Sequence, residues 1–154
     1  SDDSDEKELE EAVAKAKEKN LVVMLQGVSS LSELPQATKN ALIESDALYL
    51  PTDNLVASVV NLITEKAIAA KKIAFGAESA HVKGGALITQ GIDYYEMGKE
   101  AGKIAVDILK NGKNPSEITF KKMDLNDIVI NSKTLAAIGI SLPEDIKSKA
   151  KTID

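Results

Sequence analysis

Three observations predict an α/β fold for this chain of 154 residues. Short apolar runs, typical of strands that are buried on both faces, alternate with longer segments whose apolar residues recur at helical spacing. The alternation continues from the start of the chain to about Leu109. Cap and turn residues such as Asn111-Gly112 separate the segments. Strand–helix alternation of this kind predicts a mostly parallel sheet that is flanked by helices and joined by right-handed crossovers.

The first half of the chain contains the clearest alternation. A helix over residues 5–19 precedes a continuous apolar strand at 21–25, and Ser30 with Glu33 has the spacing of a capping box that opens a second helix. The later predicted elements are a strand at 47–50, a helix at 54–70, strands at 72–75 and 86–89, and a long helix that Asp93 caps. We expect a buried stripe on this last helix, formed by Met97, Ala101, Ile104, Ala105 and Ile108.

The pattern changes after Pro115. Two strand-like runs, at 118–123 and 127–131, are followed by two short helices at 133–138 and 143–150. We therefore divide the chain into a region of alternating strands and helices, residues 1–115, and a tail, residues 116–154.

Composition excludes several classes of protein. A net charge of −5 argues against a nucleic-acid partner, because such proteins carry basic patches. No apolar run approaches the roughly 18 residues that a membrane span needs. The absence of cysteine excludes disulfides and thiolate sites, and a single histidine falls short of a zinc site. Gly84-Gly85 lacks the spacing of a dinucleotide-binding loop, so we expect neither a cofactor nor a metal.

Polar side chains follow three of the predicted strands at their carboxyl ends, where ligands bind in open α/β sheets. They supply hydroxyl, carboxylate and amide groups, which suit a small zwitterion. The candidate ligand-binding residues are Thr52, Asp53, Asn54, Glu78, Ser79, Asp93 and Tyr94.

Each candidate also has a purely structural interpretation. Asp53 or Asn54 could only cap the next helix, and Asp93 is a good cap in any case. Glu78 could be a solvated acid in a loop, and Tyr94 could only cover a helix start. For His81 we expect a solvated position in a loop and no function.

Several motifs together resemble one family. They are residues 46–54 (DALYLPTDN), 82–86 (VKGGA) and 91–98 (GIDYYEMG), with Ile130-Asn131 and residues 136–143 in the tail. These motifs resemble bacterial ABC-transporter substrate-binding proteins, in the branch associated with uptake of tryptophan, tyrosine and other amino acids. The likeness covers nearly the whole chain.

The resemblance implies a type I periplasmic-binding-protein fold, with two Rossmann-like, flavodoxin-like lobes that close on a ligand. Residues 1–115 would then be the C-terminal lobe without its first strand. Residues 116–154 would hold hinge or crossover strands and helices that pack on the absent N-terminal lobe. Because the chain begins at Ser1, we expect a truncation or a proteolytic cut, with the missing strand replaced by a retained peptide or by a second copy of the chain.

The resemblance also implies a function without catalysis. The protein would be the solute-binding component of an ABC importer, it would bind an amino acid such as tryptophan, tyrosine or phenylalanine, and it would dock on an ABC permease. Asp53 would pair with the ligand ammonium, while Thr52 and Asn54 would hold its carboxylate. We expect an extracytoplasmic lipoprotein of a Gram-positive bacterium.

Two other functions stay open at this point. A ligand-sensing lobe of a cytoplasmic regulator would share the same fold, and an upstream helix-turn-helix would favour it. A small α/β enzyme would use Asp53 and Glu78 as acid and base, although the single histidine argues against it.

Overall fold

The computed structural model describes residues 3–91, 93–119 and 128–154. The described strands form one five-stranded sheet in the order β1-β2-β3-β4-β5. Its strands are β1 (Ala47–Leu50), β2 (Ile73–Gly76), β3 (Ile88–Gln90), β4 (Ile128–Asn131) and β5 (Ala150–Ile153). The α-helices are α1 (Asp3–Glu18), α2 (Leu34–Glu44), α3 (Asn54–Ser58), α4 (Val60–Ala69), α5 (Ser79–Lys83), α6 (Tyr94–Leu109), α7 (Ser132–Ile138) and α8 (Glu144–Lys147).

The sheet is mostly parallel, as the sequence predicts. β1 pairs with β2 and β2 with β3 in parallel, while β4 runs antiparallel to β3 and parallel to β5. The α/β fold with helices flanking the sheet is therefore confirmed. Because β1, β2 and β3 point the same way, the loops that follow them all leave from one edge of the sheet.

The core lies between the first strands and the helices α2 and α4. Apolar side chains from both layers are almost completely buried. Burial stabilises the folded state by about 25 cal/mol per Å² of apolar surface. The buried cluster consists of Leu34, Leu42, Leu50, Val56, Ile63, Ala67, Ala74 and Ala86.

The Gly84-Gly85 pair has a packing role. The Thr64 hydroxyl on α4 donates to the Gly84 carbonyl oxygen at 2.6 Å. Gly85 has a φ of +99°, and a Cβ there would lie 2.7 Å from Thr64 Oγ1. Two glycines therefore let this loop approach α4 closely.

The described part of the tail packs on α5 and on the loop that precedes β3. Asn131 at the end of β4 donates from Nδ2 to the Val82 carbonyl oxygen at 2.9 Å, and its Oδ1 accepts from the Thr134 backbone N–H at 2.9 Å to cap α7. The Thr134 hydroxyl donates to the Gly85 carbonyl oxygen. The boundary at residue 115 stays a prediction, and most of the run at 118–123 lies outside the described residues.

The predicted strand at residues 21–25 is wrong for this chain. The segment is not in a strand, and its apolar side chains are exposed, with Val22 93% exposed. An apolar strand needs a hydrogen-bonding neighbour, and β1, the terminal strand in the sheet order, pairs only with β2 among the described strands. A cavity of about 310 Å³ lies between residues 26–28, α1, α2 and β1. We call this cavity the edge groove.

Other details also differ from the prediction. None of the described residues of α6 is buried, and Met97 is 37% exposed, so the expected buried stripe is wrong. The predicted helix at 54–70 divides at Val59 into α3 and α4, because the backbone of Val59 is not helical (φ −130°, ψ 21°). The sequence patterns also missed α5 and β5.

The backbone of Gly85 generates a testable prediction. We expect Gly85→Ala to lower the free energy of unfolding by about 1–3 kcal/mol, because alanine is strained at this φ and its Cβ would press on Thr64. Chemical denaturation of both proteins measures the difference.

Gly98→Ala is the matched control. A Cβ at Gly98 meets nothing within 4 Å, and the residue lies within α6. Alanine should therefore be neutral or stabilise by up to about 1 kcal/mol. Equal stability of the Gly85 variant and the unmodified chain would contradict the packing role.

Candidate functional site

The loops that follow β1, β2 and β3 lie side by side at the carboxyl edge of the sheet. The Ala77 backbone N–H donates to the Leu50 carbonyl oxygen at 3.0 Å and joins the first two loops. Gly91 lies so close to Ala77 that a Cβ would be 1.8 Å from the Ala77 carbonyl oxygen. The structure thus brings three segments that are distant in sequence to one place.

In the loop after β1, Asp53 acts as a helix cap. Its backbone is extended, and its Oδ1 accepts a hydrogen bond from the Val56 backbone N–H at 3.0 Å at the start of α3. Thr52 and Asn54 are exposed beside it, and Thr52 and Asp53 also line one end of the edge groove. The ligand contacts of these three residues stay predictions.

In the loop after β3, Asp93 acts in the same way. Its Oδ1 accepts from the Tyr95 and Glu96 backbone N–H groups at 2.9 and 3.3 Å and caps α6. Tyr94 is 49% exposed at the same helix start. The predicted cap is therefore present, and a ligand contact of Asp93 or Tyr94 stays a prediction.

Glu78, in the loop after β2, differs from these two acids. It precedes α5, but its side chain makes no capping hydrogen bond, and the residue is only 8% exposed. The Tyr94 hydroxyl hydrogen-bonds to its carboxylate. Burial, the Glu78 charge and this hydrogen bond raise the pKa of Tyr94. Ser79 follows as the first residue of α5 and is half-buried.

His81 was expected in a solvated loop, and this expectation is wrong. His81 lies on α5 with 0% exposure. Gly76 makes room for it, since a Cβ at Gly76 would lie 2.5 Å from the His81 Cβ. Its Nε2 is 3.4 Å from Glu78 Oε1. Burial lowers the pKa of His81, although the Glu78 charge and the Leu50 backbone oxygen favour the protonated form.

The arrangement suits recognition of a polar solute. Hydroxyl groups, carboxylates and half-exposed aromatic rings surround the strand ends, which is the usual chemistry of a small-molecule site. Within residues 3–91, 93–119 and 128–154, no three His, Asp or Glu side chains lie close enough to hold a metal ion. In the same ranges, no helix has the length and apolarity needed to cross a bilayer.

Comparison with known proteins relates the chain to transport proteins. A tyrosine-binding protein of Clostridioides difficile is 37% identical over 123 residues, which make up 80% of this chain and 35% of that protein. A solved structure of an ABC domain in complex with L-Trp from Streptococcus pneumonia is 28% identical, with a TM-score of 0.84 over 99% of this chain and 52% of its own. The ligand-free, open structure of a substrate-binding protein with adhesive properties from Clostridium difficile is 31% identical, with a TM-score of 0.78 over 99% of this chain and 51% of its own.

This chain therefore spans between about a third and a half of the length of these relatives. The structural matches cover almost all of it, so the likeness includes the sheet, the helices and the described tail. A family model for ABC transporter substrate binding proteins matches residues 1–153. The chain belongs to the family of ABC transporter substrate-binding proteins.

Proposed function

We propose that this chain forms one lobe of the solute-binding component of an ABC importer, and that its ligand is an aromatic amino acid. The proposal rests mainly on the three polar loops that meet at the carboxyl edge of the sheet. Ala77 lies close to Leu50, and Gly91 lies close to Ala77, so the three loops are held together. The names of the tyrosine-binding relative and of the L-Trp complex support the ligand class.

In the proposed site, the strand-end residues bind the polar end of the amino acid. Carboxylates provide the charge that an ammonium needs, while hydroxyl and amide groups can hold the ligand carboxylate. The residues in this proposal are Thr52, Asp53, Asn54, Glu78, Ser79, Asp93 and Tyr94.

The mechanism that we propose needs no catalysis. A ligand held between two lobes stabilises the closed form, because it makes contacts with both lobes only in that form. The closed form would dock on an ABC permease. We place the protein outside the cytoplasm of a bacterium, as a membrane-anchored lipoprotein of Gram-positive type.

We also propose an occupant for the edge groove. In a protein as long as the solved relatives, a strand from outside residues 1–154 would lie between β1 and residues 21–25 and pair in parallel with β1. Apolar walls from α1, α2 and β1, including Leu9, Leu34 and Leu48, suit such a strand. A flavodoxin-like sheet places its first strand at this position, between the second and the third.

A thermal-shift screen of the two-lobe protein tests the function. We expect L-tryptophan, L-tyrosine or L-phenylalanine to raise the melting temperature, because a ligand that binds only the folded form stabilises it by mass action. Sugars, nucleosides and small peptides serve as controls. No shift with any amino acid, or a shift with another solute alone, would contradict the ligand assignment.

Hydrogen exchange tests the groove proposal. We expect backbone amides of residues 46–52 to exchange at least about tenfold more slowly in a polypeptide that is extended upstream of residue 1, because a paired strand opens less often. Residues 73–76 of β2, which have neighbours on both sides, should change little.

Equal exchange at residues 46–52 in both polypeptides would contradict the proposed strand. Light scattering of the chain of residues 1–154 measures its molecular mass and so shows whether it is a monomer or a dimer. A dimer whose β1 amides are already protected would assign the groove to a second copy of the chain.

A further inference from the structure

His81 and Glu78 form a buried polar pair whose hydrogen bonding is incomplete. Both side chains are at least nine-tenths buried, at 1% and 10% exposure. Neither ring nitrogen of His81 makes a hydrogen bond of good geometry within the described part of the chain. Most buried polar atoms in proteins are hydrogen-bonded, so such a pair calls for an explanation.

Two groups beside the Glu78 carboxylate favour their neutral forms. Burial lowers the pKa of His81, and burial together with the Glu78 charge raises the pKa of Tyr94. Nε2 of His81 lies 3.4 Å from Glu78 Oε1, which is within reach of a hydrogen bond, although the ring N–H is not aligned with that oxygen in this structure. Neither neighbour cancels the negative charge, and the ion pairs of the described residues include no lysine on Glu78.

The other two acids at this edge are already engaged. Asp53 caps α3 and Asp93 caps α6, each through Oδ1. Glu78 alone of the three makes no capping hydrogen bond. A nearly buried carboxylate without a cation costs free energy, and a bound cation removes that cost.

We infer that Glu78 is the carboxylate that receives the ammonium group of the ligand, and that His81 is the positioning residue that holds it in place from behind. This inference rests on the proposed amino-acid ligand and reassigns the role predicted for Asp53. Gly76 and α5 fix the histidine ring, and Asn131 fixes α5 through the Val82 carbonyl oxygen.

Calorimetric titration of the two-lobe protein with L-tryptophan tests the role of Glu78. Glu78→Gln should weaken binding at least about 30-fold, which corresponds to the lower range for truncating one partner of a buried charge pair. Glu65→Gln is the matched control, because it removes one carboxylate charge at an exposed position on α4, outside the proposed site. It should change the affinity by less than about threefold.

A ligand analogue separates the ammonium contact from other effects. Indole-3-propionate lacks the ammonium group, so its weak binding should not fall further in Glu78→Gln. Failure of the unmodified protein to bind L-tryptophan, L-tyrosine or L-phenylalanine would overturn the proposed function itself. Normal L-tryptophan binding by Glu78→Gln with weak binding by Asp53→Asn would overturn only the present inference.

A double-mutant cycle tests His81. His81→Leu should weaken L-tryptophan binding about tenfold in the unmodified protein and have no further effect in Glu78→Gln. His81→Gln, whose amide N–H can replace the Nε2–H donor, should restore most of the affinity. Val82→Ala removes part of an equally buried neighbour on α5 and should show no such coupling.

A merely structural role would give a different result. In that case His81→Leu would weaken binding by the same factor with and without Glu78, and His81→Gln would not restore it. That outcome would overturn the positioning role, and thermal denaturation without ligand would show how much stability each variant has lost.

Discussion

Parallel pairing of β1, β2 and β3 is the constraint on which the site depends. Parallel strands end at the same edge, so the loops that carry Asp53, Glu78 and Asp93 meet although helices separate them in sequence. The glycines at 76 and 91 complete the arrangement, because any side chain there would push His81 or Ala77 away. The sheet sets the place of the site, and these close approaches set its dimensions.

Local signals in the sequence predicted much of this structure. Strand β1 and the helix caps Asp53 and Asp93 lie at the positions that the sequence predicts. These features depend only on residues that are close in sequence. His81 can be buried because Gly76, which lies on β2, leaves room for it. No pattern in the residues around His81 indicates this burial. The run at 21–25 shows the limit most clearly, because apolarity indicates that a segment needs a partner and not that the partner is present.

Two apolar surfaces of the described chain support the proposed second part of the protein. Residues 21–25 and the apolar side of α6, with Val106 50% exposed and Leu109 86% exposed, face solvent. Large exposed apolar patches in a soluble protein mark surfaces that contact other segments or partners. A strand in the edge groove would lie directly beside the first of these surfaces.

The electrostatics of Glu78 fit reversible binding. If a lysine neutralised this carboxylate, an incoming ammonium would have to compete with it. The pKa shifts of the His81 ring and the Tyr94 hydroxyl favour the neutral form of both groups, so the Glu78 charge would stay available to a bound ammonium. One lobe supplies one wall of a cleft, and an amino acid on that wall alone keeps much of its surface in water. Closure of a second wall would remove that water and strengthen the ammonium–carboxylate attraction, so the same contact would bind the solute and favour the closed form.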